Sequence, residues 1–489
     1  MLSTELGITT FGAYIPQLRV NREEISAFHA WSNPSLASLA RSERSVCGYD
    51  EDAVTMAVEA ARDCFHGADP SAIGALYFGS TTAPFADRLN AGIIAGALHL
   101  SETIRAQDTT GSLRAGTSAL LAAFDAAGGR RATALCIAAD RRATPAGTAQ
   151  ELMTGHGAAA VLVGPRPGVA RLLGSASLTV DFVDHFRAVG SEFDYHWEER
   201  WVREEGYHKL VPQLVAEALA DARVEAGAID HFCLPVPLVR VHKEVAKSAG
   251  LAEESIHDTL FAGCGDTGAA HPLLMLVHAL ETAAPGEKIL VVGFGQGGDA
   301  LVLEVTEAIV AYRERGTGVA KWLGRRTPLP YPRYLALHGL LKIDRGMRAE
   351  SDKPTAQTAA FRHRDLLLGL IGGRCTACDT RQIPRSSICV NPECRAIDSQ
   401  VPDSFAESSG KVASWTADNL TYTPDPPAYY GMIDFDGGGR LMMDFANVGG
   451  QDIEVGRPMR MVFRVKDHDA QRGFTRYFWK AAPLEPQEA

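Results

Sequence analysis

Four cysteines carry the clearest chemical signal in the chain. Cys375-x2-Cys378 and Cys389-x4-Cys394 place four of the nine cysteines within 20 residues of a 489-residue sequence. Two knuckles of this spacing can converge on one tetrahedral ion, and soft thiolates favour zinc. Four protein thiolates leave no position for water, so the spacing predicts a structural metal and not a catalytic one. The other five cysteines, Cys47, Cys64, Cys136, Cys233 and Cys264, are scattered. In a reducing compartment the clustered four read as metal ligands, not disulfides.

The elements that must position such groups follow an α/β pattern over residues 1–308, where short apolar runs alternate with helical stretches and glycines. A helix is expected from Asp50, Glu51 and Asp52 onward, with Val54, Val58, Ala61 and Phe65 on one face. AIGALYFGS (72–80) reads as a buried strand, and AIDHFCLPV (228–236) repeats its pattern. TALCIAAD (133–140) with GHGAAAVLVG (155–164) is echoed by EKILVVGFG (287–295) with GQGGDALVLEV (295–305), which predicts a duplication of two βαβ-rich halves.

The expected domains are an N-terminal half (1–165), a second half (166–308), a basic connector with several prolines (309–360), a zinc ribbon (361–400) and a barrel of OB type (401–483). In the connector, Arg313, Arg315, Lys321, Arg325, Arg326 and Arg333 form either a solvated linker or a strip for the phosphates of a substrate. The barrel follows from short strands at 410–422, 428–435, 440–448 and 459–465, with turns such as DGGGR (436–440) between them. It lacks a basic aromatic face for oligonucleotides.

Over residues 1–308 the chain resembles the thiolase superfamily, within it the 3-hydroxy-3-methylglutaryl-CoA synthase and ketoacyl synthase III branch. The segments that carry this are DEDAVTMAVEAA (50–61), RAGTSALLAA (114–123), GHGAAAVLVG, CGDTGAAHP (264–272) and GFGQGGDAL (293–301). Residues 361–483 resemble the rubredoxin-like zinc ribbon and OB fold that accompany thiolase-like enzymes. The resemblance implies a duplicated five-layer αβαβα fold, acyl-CoA substrates with CoA as part of the substrate, and a homodimer or a complex with a thiolase-like partner.

The family chemistry implies an acylated cysteine at the start of a buried helix. Aligning GSLRAGTSAL (111–120) with that segment puts Leu113 at the nucleophile. The expected general-base Glu falls near Thr81 and the expected His near Pro235. What remains is CGDTGAAHP, where Asp266 matches the family's Asn and His271 precedes Pro272 as a thiolase's catalytic His does. Either could move a proton, and backbone N–H groups around GFGQGG (293–298) or at a helix starting near Gly111 could stabilise an enolate. Cys264 is a displaced nucleophile or a buried structural thiol. Asp266 and His271 are proton-transfer groups or, respectively, a helix cap and a packed histidine. Tyr195 and Tyr207 lie in DYHWEERWVREEGYH (194–208), a stretch that covers the pocket or a partner surface.

Three functions compete. The missing cysteine favours a lyase that cleaves or forms a carbon–carbon bond beside a CoA thioester by an aldol route. The overall resemblance favours a Claisen-type or synthase-type acyltransferase, which would require Cys264 or another relocated thiol. The third is a scaffold subunit without turnover. With 48 Lys+Arg against 59 Asp+Glu the net charge is −11, which argues against bulk attraction to nucleic acid or anionic lipid. The N-terminal MLSTELGITTFGAYIP has no signal-peptide pattern and no apolar run reaches membrane-spanning length, so the expected location is the cytoplasm.

Overall fold

The computed structural model describes residues 6–65, 68–130, 132–166, 168–237, 239–344, 356–449 and 453–484. The first five residues and 345–355 of the expected connector lie outside this set. The chain divides into two units. The first is Met1–Gly48, Asp52–Ala95 and Leu100–Leu341, and the second is Lys342–Ala489 joined by Tyr49–Glu51 and Gly96–His99.

The first unit is built on a nine-stranded mixed sheet. Its strands are β1 (Gly7–Tyr14), β2 (Ile73–Gly79), β3 (Arg105–Thr109), β4 (Thr133–Arg141), β5 (His156–Gly164), β6 (Ala170–Thr179), β7 (His231–Cys233), β8 (Lys288–Phe294) and β9 (Gly297–Val305). Their order is β7-β8-β9-β6-β1-β5-β4-β2-β3. In the first half β2 runs parallel to β3 and β4, and β5 is antiparallel to both β4 and β1. The second half repeats this: β7 is parallel to β8, and β9 is antiparallel to β8 and β6. Its counterpart of β3 is reduced to one parallel bridge, Phe232 to Ile256. The halves join where Gly7 and Ile8 of β1 pair with Arg171 and Ala170 of β6. This is the expected duplication in a thiolase-like α/β fold.

Four helices complete the layers: α1 (Ala53–Cys64), α2 (Ala115–Arg130), α3 (Val211–Ala222) and α4 (His271–Thr282). Helix α1 starts at Asp52, whose side chain accepts from Thr55 N at 2.9 Å while Thr55 Oγ1 accepts from Asp52 N at 2.8 Å, a capping box. It covers β1, β5 and β4, as α3 covers β6 and β9, while α2 and α4 lie between the halves. Because α1 is enclosed on nearly all sides, eleven of its twelve residues are buried. The expected one-sided stripe understates that burial, since its short Ala and Thr side chains let neighbours close on every face.

The N-terminus of α2 is closely packed on two sides. A Cβ on Gly116 would stand 2.1 Å from Ala269 O, and one on Gly79 would stand 2.6 Å from Ala115 O. Only glycine lets α2 approach the end of β2 and the turn before α4 this closely. Residues 308–337, expected as part of a connector, instead form three short helices inside the first unit. Tyr312 explains part of this, since its hydroxyl donates to Phe11 O at 2.6 Å and accepts from Phe11 N at 2.9 Å. Cations of the basic strip are spent on structure: Arg313 donates to Leu280 O, Lys321 pairs with Asp63, and Arg326 with Glu43.

The second unit contains a small three-stranded sheet (Arg381–Gln382, Ile371–Cys375, Gln400–Ser404) and a five-stranded one. The latter comprises β10 (Gly410–Asp418), β11 (Ala428–Phe435), β12 (Arg440–Asp444), β13 (Pro458–Asp469) and β14 (Phe474–Pro483), in the order β12-β11-β10-β13-β14. Ala446 N bonds Ala481 O at 2.9 Å, drawing the two edges together as a barrel requires. Strand β14 was not among the expected strands. Within this unit Lys480 pairs with Asp50 at 2.8 Å and Arg464 with Glu51 at 3.2 Å, all buried.

Substituting Gly116→Val should cost at least about 1–3 kcal/mol through overpacking. Urea unfolding would show this as a lower midpoint with an unchanged slope, whereas Gly129→Ala, whose Cβ would meet nothing within 4 Å, should be tolerated.

Candidate active site and metal centre

Helix α2 begins at Ala115, four residues later than Gly111, which has φ +92° and precedes the helix as a turn. Leu113 lies in that turn, half-buried. Gly295, after β8, is pressed against it: a Cβ there would be 3.0 Å from Leu113 N and 3.1 Å from Arg114 N. Ser112 Oγ donates to Gly295 O at 2.7 Å, fixing the two segments. Arg114 reaches Leu178 O at 2.9 Å and Asp299 Oδ1 at 3.4 Å. Leu113 N has no hydrogen-bond partner among the described residues and lies at the positive end of a 16-residue helix.

At the end of β4, Asp140 is fully buried and accepts from Ser80 Oγ, from the N and Oγ1 of Thr81 and of Thr82, and from Ala269 N, at 2.8–3.0 Å. The hydroxyl of Thr81 is thus committed to Asp140. Two residues on, Arg142 is also buried. Its Nε and Nη2 donate to Asp194 Oδ2 at 3.0 and 2.8 Å, and its Nη1 lies 3.5 Å from Asp266 Oδ2. Burial opposes the guanidinium charge, but Asp266 and Asp194 outweigh it and raise its pKa. Burial likewise pushes the Asp194 carboxyl up, and Arg142, His185 and Arg187 more than reverse this, so it stays below its ordinary range. Arg187 pairs with Asp194 Oδ1 at 3.2 Å and donates to Thr81 O. The hairpin His185–Phe186/Tyr195–His196 is thereby tied to the end of β4.

The three proposed residues of CGDTGAAHP separate in the structure. The Asp266 side chain is 25% exposed, accepts from Gly268 N at 2.9 Å and faces Arg142. His271 is wholly buried: Nδ1 accepts from Thr267 N at 3.1 Å, which leaves Nε2 to donate to Thr259 O at 2.7 Å, and the ring stacks on Phe261 at 4.5 Å. Both nitrogens are occupied, and burial keeps the imidazole neutral by lowering its pKa. Cys264 is also wholly buried, its thiol donates to Leu260 O at 3.3 Å, and burial raises its pKa to about 12. That environment withholds the thiolate that nucleophilic attack needs.

Tyr207 emerges instead. It sits on a π-helical segment, Val202–Leu210, where the wider turn presses Gly206 between Phe182 and Phe294. Its ring lies 4.6 Å from Phe294, the neighbour of Gly295. Burial first, then Asp184 and Asp266, raise its phenol well above the ordinary value. Among the described residues its hydroxyl has no partner. The run Asp140-Arg141-Arg142 ending an apolar strand was the sequence signal for the charge network, whereas nothing in the spacing distinguished Tyr207 from Tyr195.

In the second unit the four clustered cysteines converge. Their sulfurs all lie within 4.8 Å of one another, with Cys375 and Cys394 at 3.9 Å and Cys378 and Cys389 at 3.6 Å. Tetrahedral bonds of about 2.3 Å to zinc place sulfurs about 3.8 Å apart, so the thiols present fit such an ion.

Two family models match the chain: the 3-oxoacyl-[acyl-carrier-protein] synthase III C-terminal domain over residues 219–304, and the ChsH2 C-terminal OB-fold domain over 405–464. The hydroxymethylglutaryl-CoA synthase of Methanopyrus kandleri is 32% identical over 348 residues, covering 70% of this chain and 99% of that protein. The chain belongs to the hydroxymethylglutaryl-CoA synthase family. The synthase of Aeropyrum pernix is also 32% identical, over 69% of this chain and 95% of its own. At the level of fold, the chain matches MvaS in complex with 3-hydroxy-3-methylglutaryl coenzyme A (21% identity, TM-score 0.59, 72% of this chain and 94% of the other). It also matches 3-oxoacyl-(acyl carrier protein) synthase III of Pseudomonas aeruginosa (20% identity, TM-score 0.55, 62% and 99%). Among the described residues no helix is long and apolar enough to cross a membrane.

His156, His271 and His338 have lowered pKa values, and His196, half-buried and near Arg142, falls to about 4. The fold therefore keeps these rings neutral where the unfolded chain, near its ordinary value of about 6.5, takes up protons. Their stabilisation is complete above about pH 6.5 and shrinks as the pH falls below it. Urea midpoints should drop from about pH 7.5 to about pH 5.5, and His271→Gln should flatten that slope. Asp194→Ala, which removes the two closest acceptor contacts of the buried Arg142 and leaves only Asp266 facing it, should destabilise the fold by about 1–3 kcal/mol.

Proposed function

We propose that this family member acts on acyl-CoA substrates as a carbon–carbon lyase, cleaving a β-hydroxyacyl-CoA by a retro-aldol step without an acyl-enzyme. The single observation that carries the reading is Leu113 at the mouth of α2: an alkyl side chain cannot accept an acyl group, while its free N–H still stands at the helix terminus. The buried, high-pKa thiol of Cys264 supports the same conclusion.

In this reaction Asp266 takes the proton from the β-hydroxyl. The O–H electron pair forms the carbonyl of the departing aldehyde or ketone, and the bond between the α and β carbons breaks toward the thioester. The resulting enolate oxygen is met by Leu113 N–H with the dipole of α2 behind it. Tyr207, which its surroundings keep protonated, returns a proton to the α-carbon. Arg142 positions Asp266, and His271 holds the loop that carries it. The 3-hydroxy-3-methylglutaryl coenzyme A held by the fold neighbour MvaS is a thioester with the required β-hydroxyl.

The four cysteines of the second unit are assigned to a structural zinc ion, which supplies cross-linking of the ribbon and no chemistry at Asp266. One zinc per chain is expected by elemental analysis, and Cys389→Ser should lower it and destabilise the second unit while leaving Asp266 untouched.

Intact mass after incubation with acetyl-CoA should show no adduct, while a β-hydroxyacyl-CoA panel yields a shorter acyl-CoA and a carbonyl product. Asp266→Asn and Tyr207→Phe should each lower kcat about 10²–10⁴-fold with unchanged zinc content. A thioester-sized adduct on any cysteine would overturn the mechanism. Leu113→Cys is expected to acquire such an adduct.

A further inference from the structure

The second unit contains a cavity of about 660 Å³ that the reaction above does not use. It lies among β11, β13 and residues 421–424, and Tyr49, one of the N-terminal residues grouped with this unit, completes it. Its volume is that of a small-molecule site. Five aromatic residues line it, Tyr49, Tyr422, Tyr429, Tyr430 and Phe445, of which the consecutive Tyr429 and Tyr430 of β11 point to opposite faces of the strand.

The charges at this cavity are already neutralised. Lys480 pairs with Asp50 at 2.8 Å and stands 5.1 Å from the centre of the Tyr49 ring. Lys466 pairs with Asp444 at 2.6 Å, and Asp467 takes two hydrogen bonds from Arg476 at 2.8 and 2.6 Å. No unpaired cation remains among them to clamp a phosphate or carboxylate, and no unpaired acid to hold an amine. Polar capacity does remain. The Tyr429 hydroxyl has no partner among the described residues, and His468 uses Nδ1 on Thr475 Oγ1 at 3.1 Å, leaving Nε2 open. A hydrocarbon guest would bury those groups unpaired, at a cost.

An uncharged planar ring with a hydrogen-bonding edge satisfies all of these conditions. We propose that this cavity is a nucleobase-binding site, in which the tyrosine rings stack on a purine and Tyr429 and His468 read its polar edge. The site lies wholly in the second unit and does not rest on the lyase reading. Recognition goes to the base, so a phosphate on the ribose adds little.

Titration calorimetry on the full chain with adenosine, AMP and benzyl alcohol tests this. Adenosine should bind saturably at one site per chain, with AMP within about threefold of it and benzyl alcohol far weaker. Tyr422→Leu and Tyr429→Leu should each weaken adenosine at least about tenfold. Tyr422 stands at the surface, 36% exposed, so its variant keeps the fold even if Tyr429→Leu does not. Tyr429→Phe should lose only the edge contact. Absence of saturable adenosine binding, binding unchanged in Tyr422→Leu, or benzyl alcohol competing as well as adenosine would each overturn the assignment.

Discussion

The first unit depends on a buried carboxylate. Asp140 has no exposure, and a charge in that position is tolerable only when its lone pairs are filled. Six donors from two segments fill them, so the end of β4, the loop after β2 and the turn before α4 are held in one geometry. The same turn delivers Ala269 to the face of Gly116 and carries Asp266 three residues earlier. One residue type at the end of a strand therefore sets both how near the helices stand and where the loop that carries Asp266 runs.

Next to it, Arg142 turns a second buried charge into a positioning device. Asp194 and Asp266 compete for one guanidinium, and Asp194, held through two N–H groups, has the shorter contacts. Asp266 is left at 3.5 Å and partly open, oriented but not consumed. The pairing also places the hairpin beside the residues that lead to the π-helical turn, so the charge network and Tyr207 are neighbours by construction.

How much of this the sequence disclosed follows from the range of the interactions involved. The paired strands β4/β5 and β8/β9 were legible because they are buried on both faces and read as continuous apolar runs. The cysteine cluster was legible because its four residues lie within 20 residues of sequence. The second-half counterpart of β3 was not, since a single bridge at Ile256 leaves no periodic pattern. Strand β7 was overread for a related reason: only His231–Cys233 pair, and the prolines beyond withdraw the donors a longer ladder needs.

The candidate site was half legible. CGDTGAAHP drew attention to the loop that carries Asp266, yet spacing alone could not show that His271 has both nitrogens engaged while Asp266, five residues earlier, keeps an open side. That distinction depends on Thr259, Thr267 and Arg142, and the Arg142 to Asp194 bond alone spans 52 residues. Tyr207 was hidden for another reason. A π-turn shifts the face a residue presents, so helical periodicity placed it no differently from its neighbours. Under the proposed retro-aldol reading, Leu113 in place of a nucleophile moves the demand on the site from a thiol and its activating base to the carboxylate of Asp266, the phenol of Tyr207 and the N–H of Leu113.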